Sequence, residues 1–174
     1  GYVSGFERVF DPTGFEVPER DIQALDPLFH WVLHTAREAL RDAFGGLPVE
    51  AVRARTGLIL GNLSFPTDSM ARFAESVLLG SSSRAIAPAP RNRFQSGLPA
   101  HLAARGLGLL AGAFALDAAC ASSLYAIKLA CDRLADGTAD LMLAGAVNRA
   151  DDLFLHVGFT ALHALSPTGR SRPF

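Results

Sequence analysis

The sequence predicts an α/β fold in which layered helices surround a mixed, largely parallel sheet. Short apolar runs bounded by glycine at 56–61 and 141–144 read as strands, and an apolar stripe of period 3.6 over 26–43 reads as a helix. Between 113 and 146 a strand, a helix and a strand follow one another, which is a βαβ unit and calls for parallel pairing with a crossover. The 174 residues are 49% hydrophobic and 19% charged, a balance that builds a buried core and rules out a disordered or fibrous chain.

In chain order, residues 1–25 mix glycine, proline and aspartate with Tyr2, Phe6, Phe10 and Phe15, and read as an irregular arm. Asp26-Pro27 is a helix start, an N-cap acceptor followed by proline at the first helical position. Phe29, Val32, Leu33, Ala36, Leu40 and Ala43 form its apolar stripe, and Gly45-Gly46 ends it. Thr56–Gly61 is a buried strand. A second helix is expected from 64–66 to Leu79, with Met70, Phe73, Ala74, Val77 and Leu78 as its stripe and Gly80 at its end. The serine and proline-rich stretch 80–95 is a loop, and 98–105 is a third helical piece. Ala113–Leu116 is a strand, 120–136 a helix stopped by Gly137, and 141–144 the next strand. A weaker helix over 151–162 precedes an open loop, 166–174.

Charge and cysteine usage narrow the function. With 16 basic against 17 acidic residues the net charge is −1, which supplies no field for nucleic acid. No apolar stretch is long enough for a membrane span, so none is expected. Cys120 and Cys131 fall on one predicted helix, about 16 Å apart at 1.5 Å per residue. A disulfide needs Cα atoms within about 7 Å, so the two thiols are expected to be free, which suits a reducing cytoplasm. The five histidines (His30, His34, His101, His156, His163) lack ligand-like spacing near either cysteine, and no metal site is predicted.

Cys120 falls where the 113–116 strand gives way to the following helix. A helix N-terminus presents unpaired N–H groups and partial positive charge, which favours a thiolate and can hold an oxyanion. Ala118, Ala119, Ala121 and Ser122 leave room around the thiol, and Leu124, Ile127, Cys131 and Leu134 are expected to continue one buried face. Cys131 then reads as a structural thiol. A hydrolase elbow of the form G-x-S-x-G is absent. On these residues alone a helix-start cysteine in an alanine-rich chain is more often a small buried residue than a nucleophile, and both readings stand.

The wording around Cys120 weighs against the bland reading. Residues 117–124, Asp-Ala-Ala-Cys-Ala-Ser-Ser-Leu, resemble the D-x-A-C-S/A-S-S motif of β-ketoacyl synthases, condensing enzymes of the thiolase fold. Leu25-Asp26-Pro27 resembles the M-D-P helix entry of modular polyketide synthases, and Thr56–Gly61 their T-G-V-x-x-G strand. Residues 139–148 are similar to A-D-x-x-L-A-G-G-V, with Ala146 in place of the second glycine, and 164–174 resemble the A-L-S…R-x-F-D loop. The stretches 120–130 and 147–152 are most similar to ketosynthases of polyunsaturated fatty acid synthases and iterative type I polyketide synthases.

The resemblance implies a thiolase-like fold, of which 1–174 would be the central part of the N-terminal half, a partial ketosynthase domain. The family's first strand, its C-terminal half and its two catalytic histidines are then expected outside these residues; His156 and His163 are poor substitutes. It implies Cys120 as the acylated nucleophile in decarboxylative Claisen condensation with a malonyl-carrier thioester, and a fragment inactive on its own. The implied partners are an acyl carrier protein, which itself brings the phosphopantetheine, so that no cofactor binds this chain, together with the rest of the domain and a twin copy paired through Ala113–Leu116. Two alternatives remain: another thiolase-fold acyltransferase, or a non-catalytic dimerisation or chain-length-factor-like piece.

Overall fold

The computed structural model describes residues 4–45, 50–80, 86–148, 153–170 and 172. Tyr2, Gly46, the serines at 81–83, the predicted helix start at 151–152 and the Pro173-Phe174 end of the last motif lie outside them.

The arm before Asp26 is more ordered than the sequence suggests. It contains a 3-10 turn at Phe6–Arg8 and a short helix, α1 (Glu19–Gln23). Neither is long enough to produce a periodic stripe. Phe6 stacks on Trp31 with ring centroids 3.6 Å apart, and Phe10 stacks on His30 at 4.6 Å. These rings fasten the arm to α2 (Pro27–Phe44), the longest helix.

Helix α2 begins as predicted. Asp26 Oδ1 accepts from the Leu28 N–H at 3.0 Å, and Gly45 closes the helix at φ 54°. Phe29, Val32, Leu33, Ala36 and Leu40 are buried, whereas Ala43 is exposed because the last turn runs past the core. The Asp26 carboxylate has a second task. Its Oδ2 accepts from the Asp68 N–H at 2.8 Å, at the start of α4 (Asp68–Leu78).

Two elements depart from expectation in this stretch. A helical turn, α3 (Glu50–Arg53), precedes the first strand. Helix α4 starts at Asp68 rather than at 64–66, because Thr67 is its N-cap, and its apolar stripe has no buried member. Within 80–95 the chain forms a 3-10 turn at Pro90–Asn92, and Pro66 and Phe94 make an isolated bridge. The Thr67 hydroxyl donates to the Asn92 carbonyl, tying the two segments together.

The sheet has three parallel strands in the order β2-β1-β3: β1 (Thr56–Gly61), β2 (Ala113–Leu116) and β3 (Leu141–Ala146). Strand β3 runs two residues further than the sequence predicts. Every residue of β1 is buried. Leu58 and Leu60 face a core built from α2 and α5 (Leu98–Leu107), while Ile59 on the opposite face packs on Ala126 and Ala130 of α6 (Ser122–Ala135). Helix layers therefore cover both faces of β1. Leu58 and Ile59 are covered in this chain, while Phe114, Leu141 and Leu143 stay half-buried.

Helix α6 overturns the predicted orientation. Leu124, Ile127, Cys131 and Leu134 point away from the sheet and are exposed. The buried face is Ser122, Ala126 and Ala130. Small side chains let the helix lie close to β1 and β3, which large ones would hold off. The helix stops as predicted, with Gly137 at φ 71°. The last helix, α7 (Leu153–Ala161), ends one residue before Leu162.

Candidate active site

Parallel strands deliver their C-terminal ends to one edge of a sheet, and ligands of open α/β sheets bind beyond that edge. In register, Gly61 lies beside Leu116 on one side and Ala146 on the other. The chain then leaves the strands through Asn62, Asp117 and Val147. Asn62 donates its N–H to the Leu116 carbonyl at 3.0 Å, and Val147 donates to the Gly61 carbonyl at 2.9 Å.

Cys120 stands at this edge, exposed, just past the end of β2. It is not the first residue of the α-helix, as the sequence suggests. It occupies a 3-10 turn, Ala119–Ala121, and α6 begins at Ser122. The turn is built by short-range hydrogen bonds. Asp117 Oδ1 accepts from the Ala119 N–H at 2.9 Å, which is an Asx-type closure. Ser122 Oγ accepts from the Ala118 N–H at 2.9 Å and donates to the Ala119 carbonyl at 2.8 Å. Ala119 is held at φ 49°, a region alanine rarely enters. No side chain caps α6, and its first N–H, that of Ser122, donates to the Ala119 carbonyl.

Three residues at this edge have roles that sequence spacing alone does not give. Gly61 reads as a strand glycine, yet a Cβ there would lie 2.8 Å from the backbone of Ser122. Asn62 is buried; its Nδ2 donates to the Ser96 carbonyl at 2.8 Å, while its Oδ1 has no partner among the described residues. Ser122 reads as one small residue among several. Only the fold brings β1 against the Cys120 turn. The histidines stay apart from it. His30 and His34 serve the aromatic cluster on α2, and the Nε2 of His30 lies 2.8 Å from the Ile22 carbonyl. His156 on α7 and His163 just beyond it are exposed, and neither side chain hydrogen-bonds to the Cys120 turn among the described residues. A shallow cavity of about 400 Å³ lies elsewhere, in the 164–172 loop, lined by Leu165, Ser166, Arg170 and Arg172.

The arrangement is a strand-to-helix turn that presents one thiol at the carboxyl edge of a parallel sheet. Residues 2–174 match the model of the β-ketoacyl synthase N-terminal domain. The chain belongs to the β-ketoacyl synthase family. It is 35% identical, over its whole length, to a phenolphthiocerol/phthiocerol polyketide synthase of Mycobacterium tuberculosis, spanning 9% of that protein. It is 32% identical over 95% of its length to the PKS-NRPS hybrid synthetase ATPKS of Aspergillus niger, covering 8% of it. Among solved structures, the PfaC keto synthase–chain length factor superposes with a TM-score of 0.76 at 36% identity, over 95% of this chain and 20% of that one. The ishigamide ketosynthase/chain length factor has the same fold, with a TM-score of 0.71 at 23% identity over 91% of this chain and 39% of that one. The thiolase-like α/β fold expected of this ketosynthase sequence is thus the fold observed.

Two further properties bear on its chemistry. No helix of the described residues is long and apolar enough to cross a membrane. Both thiols are free.

Proposed function

We propose that this chain is part of a ketosynthase domain that lengthens acyl chains by decarboxylative Claisen condensation, with Cys120 as the acylated thiol. The observation that supports this most is the clasped, exposed turn carrying Cys120 at the carboxyl edge of the sheet, within the family's motif. An acyl carrier protein presents an acyl group on its phosphopantetheine thiol. The Cys120 thiolate attacks the thioester carbonyl, and the first-turn N–H groups of α6 stabilise the oxyanion. The carrier thiolate leaves and takes up a proton. A malonyl-carrier thioester then loses carbon dioxide, and its enolate carbon attacks the acyl-Cys120 carbonyl, freeing the cysteine. Thioester exchange is nearly balanced in energy, which suits a thiol nucleophile.

The domain is read as extending beyond these residues, because the chain spans 9% or less of the polyketide synthases cited and 20% to 39% of the solved structures. The histidines that assist decarboxylation are assigned to that remainder. The wording of 120–130 and 147–152 supports a polyunsaturated fatty acid synthase type, and the free thiols suit the cytoplasm. Pairing with a second protomer, a twin or a chain-length-factor partner, is assigned to β2, an edge strand of the described sheet. The chain-length-factor reading of this chain itself is the weaker one, because Cys120 is present.

The test is adduct mapping. Incubating the full-length protein with an acyl-thioester and digesting it should give an acyl adduct on Cys120, and Cys120→Ala should abolish both adduct and condensation. Acylation of Cys131 with Cys120 untouched would refute the assignment.

A further inference from the structure

The turn that carries Cys120 is gripped by a residue that the acyl chemistry never touches. Ser122 is buried, and both of its hydroxyl hydrogen bonds go to the turn: the Ala118 N–H at 2.9 Å and the Ala119 carbonyl at 2.8 Å. The backbone of Ser122 is in turn seated on β1. A Cβ at Gly61 would lie 2.8 Å from the Ser122 carbonyl carbon, its oxygen and its Cβ, and backbone cannot move aside as a flexible side chain can. Below this contact Ile59 packs on Ala126 and Ala130, so the seam continues along α6 and fixes the helix in place.

We propose that Ser122, seated on Gly61, is the positioning residue of Cys120. The inference rests on reading Cys120 as the acylated thiol. Its core is the left-handed Ala119, at φ 49°. An alanine held there works against its own steric preference, so the turn is under load and requires a clasp. Two groups supply one. The Asp117 carboxylate takes the Ala119 N–H from the solvent side, and the Ser122 hydroxyl takes the Ala119 carbonyl from the buried side. With the hydroxyl gone, the Ala119 carbonyl still accepts the Ser122 N–H but has lost its side-chain clasp, and Ala119 can relax toward the right-handed region. That rotation swings the next residue, Cys120, relative to the start of α6. The thiol remains present and exposed but loses its set orientation. Gly61 enters because a methyl there pushes the same serine off its seat from behind. Two substitutions on different elements should therefore produce one defect.

The defect expected is in transition-state geometry and not in substrate binding, which separates positioning from a general structural role. In the full-length protein, acyl transfer from an acyl-thioester to Cys120 is followed by intact mass. Ser122→Ala should lower the loading kcat by about tenfold or more while the KM for the thioester stays within about twofold. Gly61→Ala should reproduce that split. Ala126→Gly, on the same buried face, is the control for stability alone, and should lower the melting temperature without the kcat loss. If Ser122→Ala and Ala126→Gly lose loading in proportion to their melting temperatures, Ser122 is merely structural and the proposal falls. Should Ser122→Ala fail to melt cooperatively, Ser122→Thr, which keeps the hydroxyl, decides. Loading within about threefold of wild type supports the clasp, and a tenfold loss in a cooperatively melting Ser122→Thr overturns it. A wild-type protein with no adduct on Cys120 overturns the functional reading and this inference together. An adduct that forms equally fast in Ser122→Ala overturns this inference alone.

Discussion

Helices α2 and α6 carry apolar stripes of similar clarity in the sequence, yet the chain uses them in opposite ways. In α2 the stripe is the buried face: Phe29 and Leu33 are fully enclosed. In α6 the stripe of Leu124, Ile127, Cys131 and Leu134 is the exposed face, with Leu124 at 69% exposure, and alanines make the contact with the sheet. Periodicity finds a stripe without naming what covers it. A helix between a sheet and a second layer has two candidate faces, and close approach to the sheet selects the one with the smaller side chains. On the function proposed above, the uncovered stripe is the surface on which the remainder of a ketosynthase would pack. The chain's exposed area agrees with that view. It exposes 11009 Å² at a mass of 18.4 kDa, about a third more than the roughly 8,200 Å² expected of a compact monomer of that size.

The comparison can be broken by matched truncations. Leu33→Ala should cost about 2–5 kcal/mol of stability, as a buried leucine that leaves a cavity. Leu124→Ala in the 174-residue chain should change stability by less than about 0.5 kcal/mol, as exposed substitutions do. In the full-length protein Leu124→Ala should move toward the Leu33 value. Urea unfolding followed by circular dichroism measures all of these. Equal costs for Leu33→Ala and Leu124→Ala in the short chain would show that α6 is turned the other way.

The second effect sits where the α2 region is fully legible. Asp26-Pro27 predicts a cap, and the structure adds a second load on the same carboxylate, because Asp26 receives the N–H groups of both Leu28 and Asp68. Asp26→Ala should cost about 1–3 kcal/mol, more than an ordinary exposed cap, since two helix starts lose their acceptor in a buried place. A loss no greater than a few tenths of a kcal/mol in thermal melts would mean that water replaces the carboxylate freely.

These cases show why parts of the molecule are readable and others are not. The strands, the α2 cap, the Gly137 stop and the position of Cys120 depend on neighbours in sequence: a glycine boundary, an N-cap, a motif. The burial of β1 on both faces can be read from the unbroken apolar run Leu58-Ile59-Leu60. The roles of Gly61, Asn62 and Ser122 depend on which strand end meets which turn, and the order β2-β1-β3 decides that. The T-G-V-x-x-G resemblance marks Gly61 as a strand glycine without saying that Ser122 sits against it. The start of α4 is hidden for a related reason. Thr67 acts as cap because the 3-10 turn Pro90–Asn92 comes back against it, a contact spanning 25 residues.

A smaller effect tests the α6 side again. Cys131 is an exposed thiol in this chain, so Cys131→Ala should alter stability by less than about 0.5 kcal/mol. Under native conditions iodoacetamide should label it in the 174-residue chain, read by peptide mass. Protection of Cys131 until the chain is unfolded would restore the buried orientation that periodicity alone suggests for that stripe.

The smallest effect lies at the end of α6 and is read through pH. The Asp136 carboxylate accepts from the Thr138 hydroxyl at 2.7 Å and from the Thr138 N–H at 3.0 Å, closing the turn into Gly137. These bonds, the hydroxyl's first, hold its pKa below the ordinary 3.8, with Arg133 adding a weaker pull in the same direction. A carboxyl whose folded value lies below its unfolded value binds protons more readily when unfolded. Its contribution is therefore complete above the unfolded value near pH 4 and fades as pH falls through the lower folded value. Asp136→Asn should thus reduce stability slightly at neutral pH and leave no difference from the wild type in strong acid. Full exposure keeps the neutral-pH difference small, because water competes for the same oxygens. Urea titrations of both proteins between pH 7 and pH 2 should give curves that converge only below pH 4. Curves that stay parallel throughout would mean that Asp136 acts through shape and not through its charge.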